Sequence, residues 1–195
     1  MPIFRNASRA DLETLLDWAA REGWNPGLDD ATPFFAADPA GFHVAEEDGQ
    51  IVAAISLVRY GPAYAFLGFY ITHPDFRGQG IGRALWNHAL SETEARTIGL
   101  DGVVAQQENY RKSGFAYAHA NLRYGGEVSC SEPPSSELVE VSPVHIPAII
   151  DYDRRFSAAP RDAFLKEWLR PLPARNSAVL IRNAEILGYG TIRAC

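Results

Sequence analysis

The run Phe69-Tyr-Ile-Thr-His-Pro-Asp-Phe-Arg-Gly-Gln-Gly-Ile-Gly-Arg-Ala-Leu85 restricts the backbone more tightly than any other stretch of this chain. Pro74 has no amide hydrogen to give to a β-ladder, so it ends the strand before it. Gly78, Gly80 and Gly82 then open backbone conformations that side chains forbid. From Ile81 the apolar spacing turns helical, with Leu85, Trp86 and Ala89 on the buried side of a helix predicted to run to about Ala95. A strand end, a glycine turn and a helix start must therefore follow one another directly. The first turn of such a helix has unpaired N–H groups and partial positive charge, which stabilise an anion. Arg77 and Arg83 bracket the turn and add fixed charge. A pyrophosphate suits this arrangement.

The elements around the turn set the fold class. Ser8 precedes a helical face of Leu12, Leu15, Leu16 and Ala19, Asp11 completes a capping box, and Gly23 supplies a stop. A second short helix is predicted near Asp30, with Pro33 in its first turn and Phe34 and Phe35 inward. Phe42 to Ala45 and Ile51 to Tyr60 are strand-like and flank the hairpin signal Asp48-Gly49. Gly61-Pro62 turns the chain into a third strand, Ala63 to Thr72. After the glycine-turn helix come a short buried strand (Gly99 to Val104), a short helix (Gln107 to Ser113) closed by Gly114, and a strand from Phe115 to Gly125. This alternation predicts an α/β (α+β) fold, a mixed and mostly antiparallel sheet flanked by helices. Val128 to Ser136, with two prolines among small polar residues, reads as a linker. Beyond it a smaller α/β extension is expected: a strand (Leu138 to Val141), helices near Val144 to Phe156 and Arg161 to Leu169, and a hairpin of Ala178 to Arg182 with Glu185 to Ile192. The expected domains are 1–127 and 137–195. Because the sequence stops straight out of that hairpin, the second region is expected to be incomplete or to pair with something else.

Composition narrows the function classes. A chain of 195 residues builds one sizeable core, or one core with an appendage. Eighteen Lys and Arg against 24 Asp and Glu leave a formal charge of −6. That argues against nucleic acid as a partner, since such binding rests on clustered positive charge. No apolar run approaches the roughly 18 residues of a membrane span, and MPIFRNASRADLE has no signal core, so no membrane role and cytoplasmic residence are expected. Cys130 and Cys195 form neither a disulfide framework nor a metal motif, and His43, His88, His119 and His145 lack metal spacing, so no metal is expected.

Among phosphate-binding turns, a P-loop requires Lys-Ser or Lys-Thr after its glycines, and none is present. A Rossmann turn requires G-x-G-x-x-G in a βαβ unit, whereas these glycines read G-x-G-x-G after an antiparallel meander. The third pattern, Arg/Gln-x-x-Gly-x-Gly/Ala, is met by Arg77, Gly80 and Gly82. On this string, flanked by Pro74 and Leu85, the sequence resembles the GNAT superfamily of general-control-type N-acetyltransferases. Tyr110-Arg-Lys-Ser-Gly-Phe115, about 30 residues further on, is similar to a second signature of that superfamily. The resemblance covers residues 1 to about 126. Asp151-Tyr-Asp-Arg-Arg-Phe156 and Arg161-Asp-Ala-Phe-Leu165 more faintly resemble an additional acetyltransferase-like C-terminal segment, read here as an accessory or substrate-side element.

The resemblance implies an N-acetyltransferase with acetyl-CoA as acyl donor and a small-molecule or protein amine as acceptor, working as a monomer or homodimer. It implies that main-chain groups of Tyr70, Ile71 and Thr72, on a strand that splays from its neighbour, bind the pantetheine arm. Arg77, Gly78, Gln79, Gly80, Ile81, Gly82 and Arg83 would hold the pyrophosphate, and Tyr110 would protonate the leaving thiolate. An N–H of Tyr70 or Ile71 would stabilise the oxyanion. Two departures stand out. Ala65-Phe-Leu-Gly-Phe-Tyr70 lacks the carboxylate or imidazole that often serves as base, leaving water, Glu46, Glu47 or the second region. Asp101-Gly-Val-Val-Ala-Gln-Gln107 lacks an Asn at the strand end, and Asn109 is too near Tyr110 to replace it. His73, at the lip of the turn, reads as a surface residue. Trp18, Trp24, Phe34 and Phe35 are candidates for the acceptor wall, with core packing expected for at least two. The missing base keeps open a non-catalytic acyl-CoA-binding sensor or regulatory module, and an interaction protein in which the glycine turn is a relic of the fold.

Overall fold

In the computed structural model, which describes residues 1–91, 93, 96–127, 129 and 135–195, the meander and the glycine-turn helix form the scaffold. Its strands are β1 (Ile3–Asn6), β2 (Phe42–Glu47), β3 (Gln50–Tyr60), β4 (Tyr64–Thr72) and β5 (Thr97–Leu100), hydrogen-bonded in that order. Asp48 and Gly49 both take positive φ, 50° and 77°, as a two-residue hairpin turn demands. All neighbours are antiparallel except β4 and β5, which run parallel. A parallel neighbour needs a crossover, and α3 (Ile81–Ser91) supplies it.

Alternation along the strands divides the core into two layers. Val44, Ala54, Val58 and Ile71 pack on one face with α1 (Asp11–Arg21) and α2 (Ala31–Ala37). Ala45, Ala53, Ile55, Leu57 and Leu67 pack on the other with Leu85, Trp86 and Ala89 of α3. The capping box at α1 is formed: Asp11 Oδ2 accepts from the Ser8 amide at 2.7 Å, and the Asp11 amide donates to Ser8 Oγ at 3.2 Å. Gly23, at φ 77°, closes the helix.

Several expected elements differ. β1 was not foreseen, because four residues carry too little alternation to register in sequence; Arg5 pairs with Val44 across the ladder. β5 stops at Leu100, and Val104 opens a 3-10 turn (Val104–Gln106) instead of closing the strand. α4 (Gln107–Lys112) and the Gly114 stop, at φ 91°, follow as expected. The strand expected from Phe115 to Gly125 is irregular. The nearest edge, β5, is only four residues long, and without a ladder partner the backbone of 116–125 turns to solvent. α3 ends at Ser91 rather than near Ala95, which, like Cys130 and most of the predicted linker, lies outside the described residues.

The second region forms its own layer pair: β6 (Leu138–Glu140), β7 (Arg175–Arg182) and β8 (Glu185–Arg193) in an antiparallel sheet, covered by α5 (Ile146–Asp153) and α6 (Asp162–Trp168). Its core is Val141, Ile149, Ile150, Leu165, Leu169 and Val179. It grips residues 25–34 of the first region. The Leu28 amide donates to Ala194 O at 3.0 Å, Arg193 Nη1 to Asn25 O at 3.2 Å and Arg175 Nη2 to Asp29 O at 2.5 Å. Arg175 and Asp30 are both 1% exposed and lie 3.5 Å apart. Phe164 of α6 stacks on Phe34 of α2. Among the described residues no helix is long and apolar enough to cross a membrane.

Candidate active site

The turn into α3 is built stepwise. Pro74 starts a single 3-10 turn through Phe76, capped where the His73 ring accepts from the Asp75 amide at 3.4 Å. Gly78 and Gly80 follow at φ 75° and 79°, where an added Cβ would meet nothing within 4 Å. They are glycines for conformation, and their outer side is open. Gly82 is different. It lies in the helix, and a Cβ there would meet Thr72 Oγ1 at 2.5 Å and Tyr70 Oη at 3.1 Å. The expectation that all three glycines serve backbone freedom is corrected on this point: Gly82 serves close approach. The helical ladder begins with the Ala84 amide on Gly80 O at 3.0 Å, so the amides of Ile81, Gly82 and Arg83 precede it. Arg77 is a strut: its Nε donates to Thr72 O at 2.9 Å and its Nη2 to Glu22 Oε1 at 2.5 Å. Gln79 Nε2 donates to Asp75 O at 3.1 Å.

Beside this turn β4 loses its neighbour. Its pairing with β5 ends at Leu67 opposite Leu100. On the other side, the ladder to β3 slips between Ala54 and Ser56, and Phe69 takes φ 46°. The bulge places the Phe69 ring among Phe34 (5.8 Å), Phe42 (6.4 Å) and Trp24 (6.5 Å). A cleft of about 1020 Å³ opens where the strands part, and it is lined from both faces of the sheet. Tyr70, Trp86, Leu100 and Tyr110 belong to the α3 face, and Trp24, Phe34, Phe42 and Phe69 to the α2 face.

Tyr110 stacks on Trp86, with ring centroids 6.1 Å apart, and meets Phe115 edge-on. Burial pushes its phenol above the usual value of 10, and the Tyr60 and Tyr70 phenols are raised for the same first reason. Phe164 of α6 and Arg161, the residue before that helix, line the α2 side of the cleft. Arg161 is anchored to Asp153, donating from Nε at 2.9 Å and Nη2 at 2.7 Å. Burial alone would raise the Asp153 carboxyl, but hydrogen bonds from Arg161, Tyr189 and Ser157 outweigh it and hold the group at about 2. Tyr189, half-buried and donating to Asp153, is pushed up to about 12.

Of the residues singled out in the sequence, Tyr70, Ile71, Thr72, Arg77, Arg83 and Tyr110 line the cleft. Gly78, Gln79, Gly80, Ile81 and Gly82 connect Arg77 to Arg83 without lining it. Glu46 and Glu47 are elsewhere: Glu46 accepts from Arg5 Nε at 2.7 Å and Glu47 pairs with the N-terminal amine at 3.5 Å. His73 packs on Trp18 at 5.6 Å, away from the cleft. Trp24 and Phe34 line it, whereas Trp18 and Phe35 pack in the α1–α2 core. Tyr60, Asp101 and Arg123 also line it and carried no sequence signal. They meet there only because the strand termini and loops converge.

Residues 9–116 match the acetyltransferase (GNAT) family. A holothin acyltransferase from Pseudoalteromonas sp. (strain SANK 73390) is 33% identical over 187 residues, covering 96% of this chain and 63% of its own length. A mycothiol acetyltransferase from Cellulomonas flavigena is 31% identical over 130 residues, covering 58% of this chain and 36% of its own. The chain thus spans under two thirds of each of these relatives. Among solved structures, a candidate acetyltransferase from Pyrococcus horikoshii superposes with a TM-score of 0.65 at 16% identity, covering 92% of this chain and 68% of its own. A Clostridium acetobutylicum structure solved with acetyl-CoA gives a TM-score of 0.50 at 24% identity, covering 64% of this chain and 96% of its own. At these identities the likeness is one of fold.

Proposed function

The chain belongs to the acetyltransferase (GNAT) family, and from that premise we propose that it transfers an acetyl group from acetyl-CoA to a primary amine by direct attack. The observation that carries this reading is the opening of α3, with its unladdered amides, beside a strand that has lost its neighbour and between Arg77 and Arg83, which line a cleft that reaches Tyr110. Helix-start amides suit a pyrophosphate. The open outer sides of Gly78 and Gly80 leave room for it, and Arg83 stands exposed beside them. The unpaired edge of β4 at Tyr70, Ile71 and Thr72 suits an extended amide-bearing arm that adds like a strand.

Acetyl-CoA supplies the thioester. The amine nitrogen attacks its carbonyl carbon, the C–N bond forms and the C–S bond breaks. Tyr110 gives its phenolic proton to the departing sulfur, while an amide of Tyr70 or Ile71 stabilises the oxyanion. Burial keeps Tyr110 protonated at neutral pH, the state a proton donor needs. Among the described residues, the carboxylates that line the cleft are Glu22, held by Arg77, and Asp101, which accepts from Asn121 at 2.7 Å. Proton removal from the amine is therefore assigned to water.

Calorimetric titration with acetyl-CoA tests the donor half of the reading, with saturable micromolar binding expected. Absence of binding at about tens of micromolar overturns it. Thiol release in the presence of a panel of amines tests the transfer half. Binding without turnover for every amine identifies a sensor instead.

A further inference from the structure

The cleft is lined from both faces of the sheet, and its α2 face is walled by rings. Phe34, Phe42 and Phe69 come from α2, β2 and the β4 bulge, Trp24 from the loop after α1, and Phe164 from α6. Phe69 meets Trp24, Phe34 and Phe42 edge-on, and Phe34 and Phe164 lie nearly parallel, 17° apart. Such walls favour a planar apolar body over a hydrated chain. The charge inventory points the same way. Among the described residues four arginines, at 77, 83, 123 and 161, line the cleft with two carboxylates; Arg77 is paired with Glu22 and Arg161 with Asp153, so the balance is a modest positive one although the chain is acidic. Arg161 stands on the ring-walled side. An acceptor entering as an ammonium ion finds, among the described residues, no carboxylate in the cleft that is not already hydrogen-bonded.

The proton balance adds an independent argument. An alkylamine with a pKa near 10 is neutral in only about one molecule per thousand at pH 7, so it requires a base. Among the described residues, the titratable groups that line the cleft do not offer one. Its tyrosines, 60, 70 and 110, are held protonated by burial, its arginines are cations, and its carboxylates are bonded to Arg77 and Asn121. An amine borne on an aromatic ring delocalises its lone pair into the ring and is unprotonated at neutral pH. It attacks as it arrives.

Building on the acyl-transfer reading, we propose that the acceptor is an aryl or heteroaryl amine whose ring lies between the Phe34, Phe42, Phe69 and Phe164 walls, and that the second region contributes to this subsite through α6. The ring-borne nitrogen forms its bond to the acetyl carbon, the thioester C–S bond breaks, and one N–H proton leaves the product nitrogen for water as Tyr110 protonates the sulfur. The products are an N-aryl acetamide and free CoA thiol.

The test measures kcat/KM from pH 6 to 9 for ring-borne amines, alkylamines such as putrescine, and a lysine peptide, with acetyl-CoA affinity followed in parallel. Arylamines are expected to be preferred at pH 7 by about tenfold or more, with a profile flat across the range. Acetyl-CoA binding with preferred acetylation of alkylamines overturns this proposal and leaves the acyl-transfer reading standing. Failure to bind acetyl-CoA overturns both. Phe164→Leu and Phe34→Leu are each expected to raise the arylamine KM about tenfold while acetyl-CoA affinity, which reports intact folding, stays constant. An unchanged arylamine KM in both variants also overturns it.

Discussion

Gly82 carries a steric constraint that a helix position does not ordinarily impose. Alanine there gains about 1 kcal/mol of helix propensity, but its Cβ meets Thr72 Oγ1 at 2.5 Å, and overpacking of that kind costs about 1–3 kcal/mol. Gly82→Ala is therefore expected to lower unfolding free energy by about 1 kcal/mol, read by urea titration, and to weaken acetyl-CoA binding because β4 shifts against the helix start. Tyr110 is held by rings rather than by hydrogen bonds, so Tyr110→Phe keeps its packing and removes only the proton. Turnover is expected to fall about 100-fold or more with the acetyl-CoA dissociation constant unchanged. Asp153 makes a pH-dependent contribution. Its folded value of about 2 lies below the usual 3.8, so the stabilisation is present above pH 4 and disappears as pH falls through 2. The shift corresponds to about 2 kcal/mol. Asp153→Asn is expected to lower stability at pH 7 and to flatten its decline between pH 4 and 2, measured by denaturant unfolding at each pH.

At the scale of elements, the contact of the second region with the loop before α2 includes one fully buried guanidinium. Arg175 is 1% exposed, sits over the Trp168 ring at 4.5 Å, and faces Asp30, itself 1% exposed. Asp30 also faces Arg193 Nη1 at 3.4 Å, so losing Arg175 leaves the carboxylate one guanidinium partner and costs less than the roughly 3–5 kcal/mol of a fully stranded charge. Arg175→Ala, which also removes the Trp168 contact and the bond to Asp29 O, is expected to destabilise by about 2–3 kcal/mol in chemical denaturation, and Arg193→Ala in the same chain to add more than its effect alone, because Asp30 then has neither guanidinium. None of this was visible in the sequence. Arg175 stands 145 residues from Asp30 with no pattern joining them, whereas the β2–β3 hairpin and the α1 capping box were legible because their determinants are adjacent. The 115–125 segment errs the other way. Its alternation is strand-like, but a strand also requires an edge of matching length, and β5 ends at Leu100.

On the scale of the whole molecule, the two sheets have separate cores yet share the cleft, since Phe164 reaches it from α6 and Arg161 from the residue before that helix. With α2 and α6 packed together and Arg175, Arg193 and Leu28 crossing the boundary, a single calorimetric transition is expected. Two resolved transitions indicate that the regions unfold independently. The same coupling predicts that variants in α6 alter acceptor KM without altering donor affinity.

The sequence by itself determined the glycine turn, the helix it opens, the meander before it and Tyr110 after it. Each is written in local backbone rules: proline ends a ladder, glycine permits positive φ, and apolar spacing sets the period. Only the tertiary structure decided that β5 leaves β4 at Leu67, that the Phe69 bulge gathers rings beside the gap, that Glu46 and Glu47 lie outside the cleft, and that α6 supplies a wall. Those features depend on where strand ends stop and which side chains then meet. They are set by packing between segments far apart in the chain, and no local pattern encodes them.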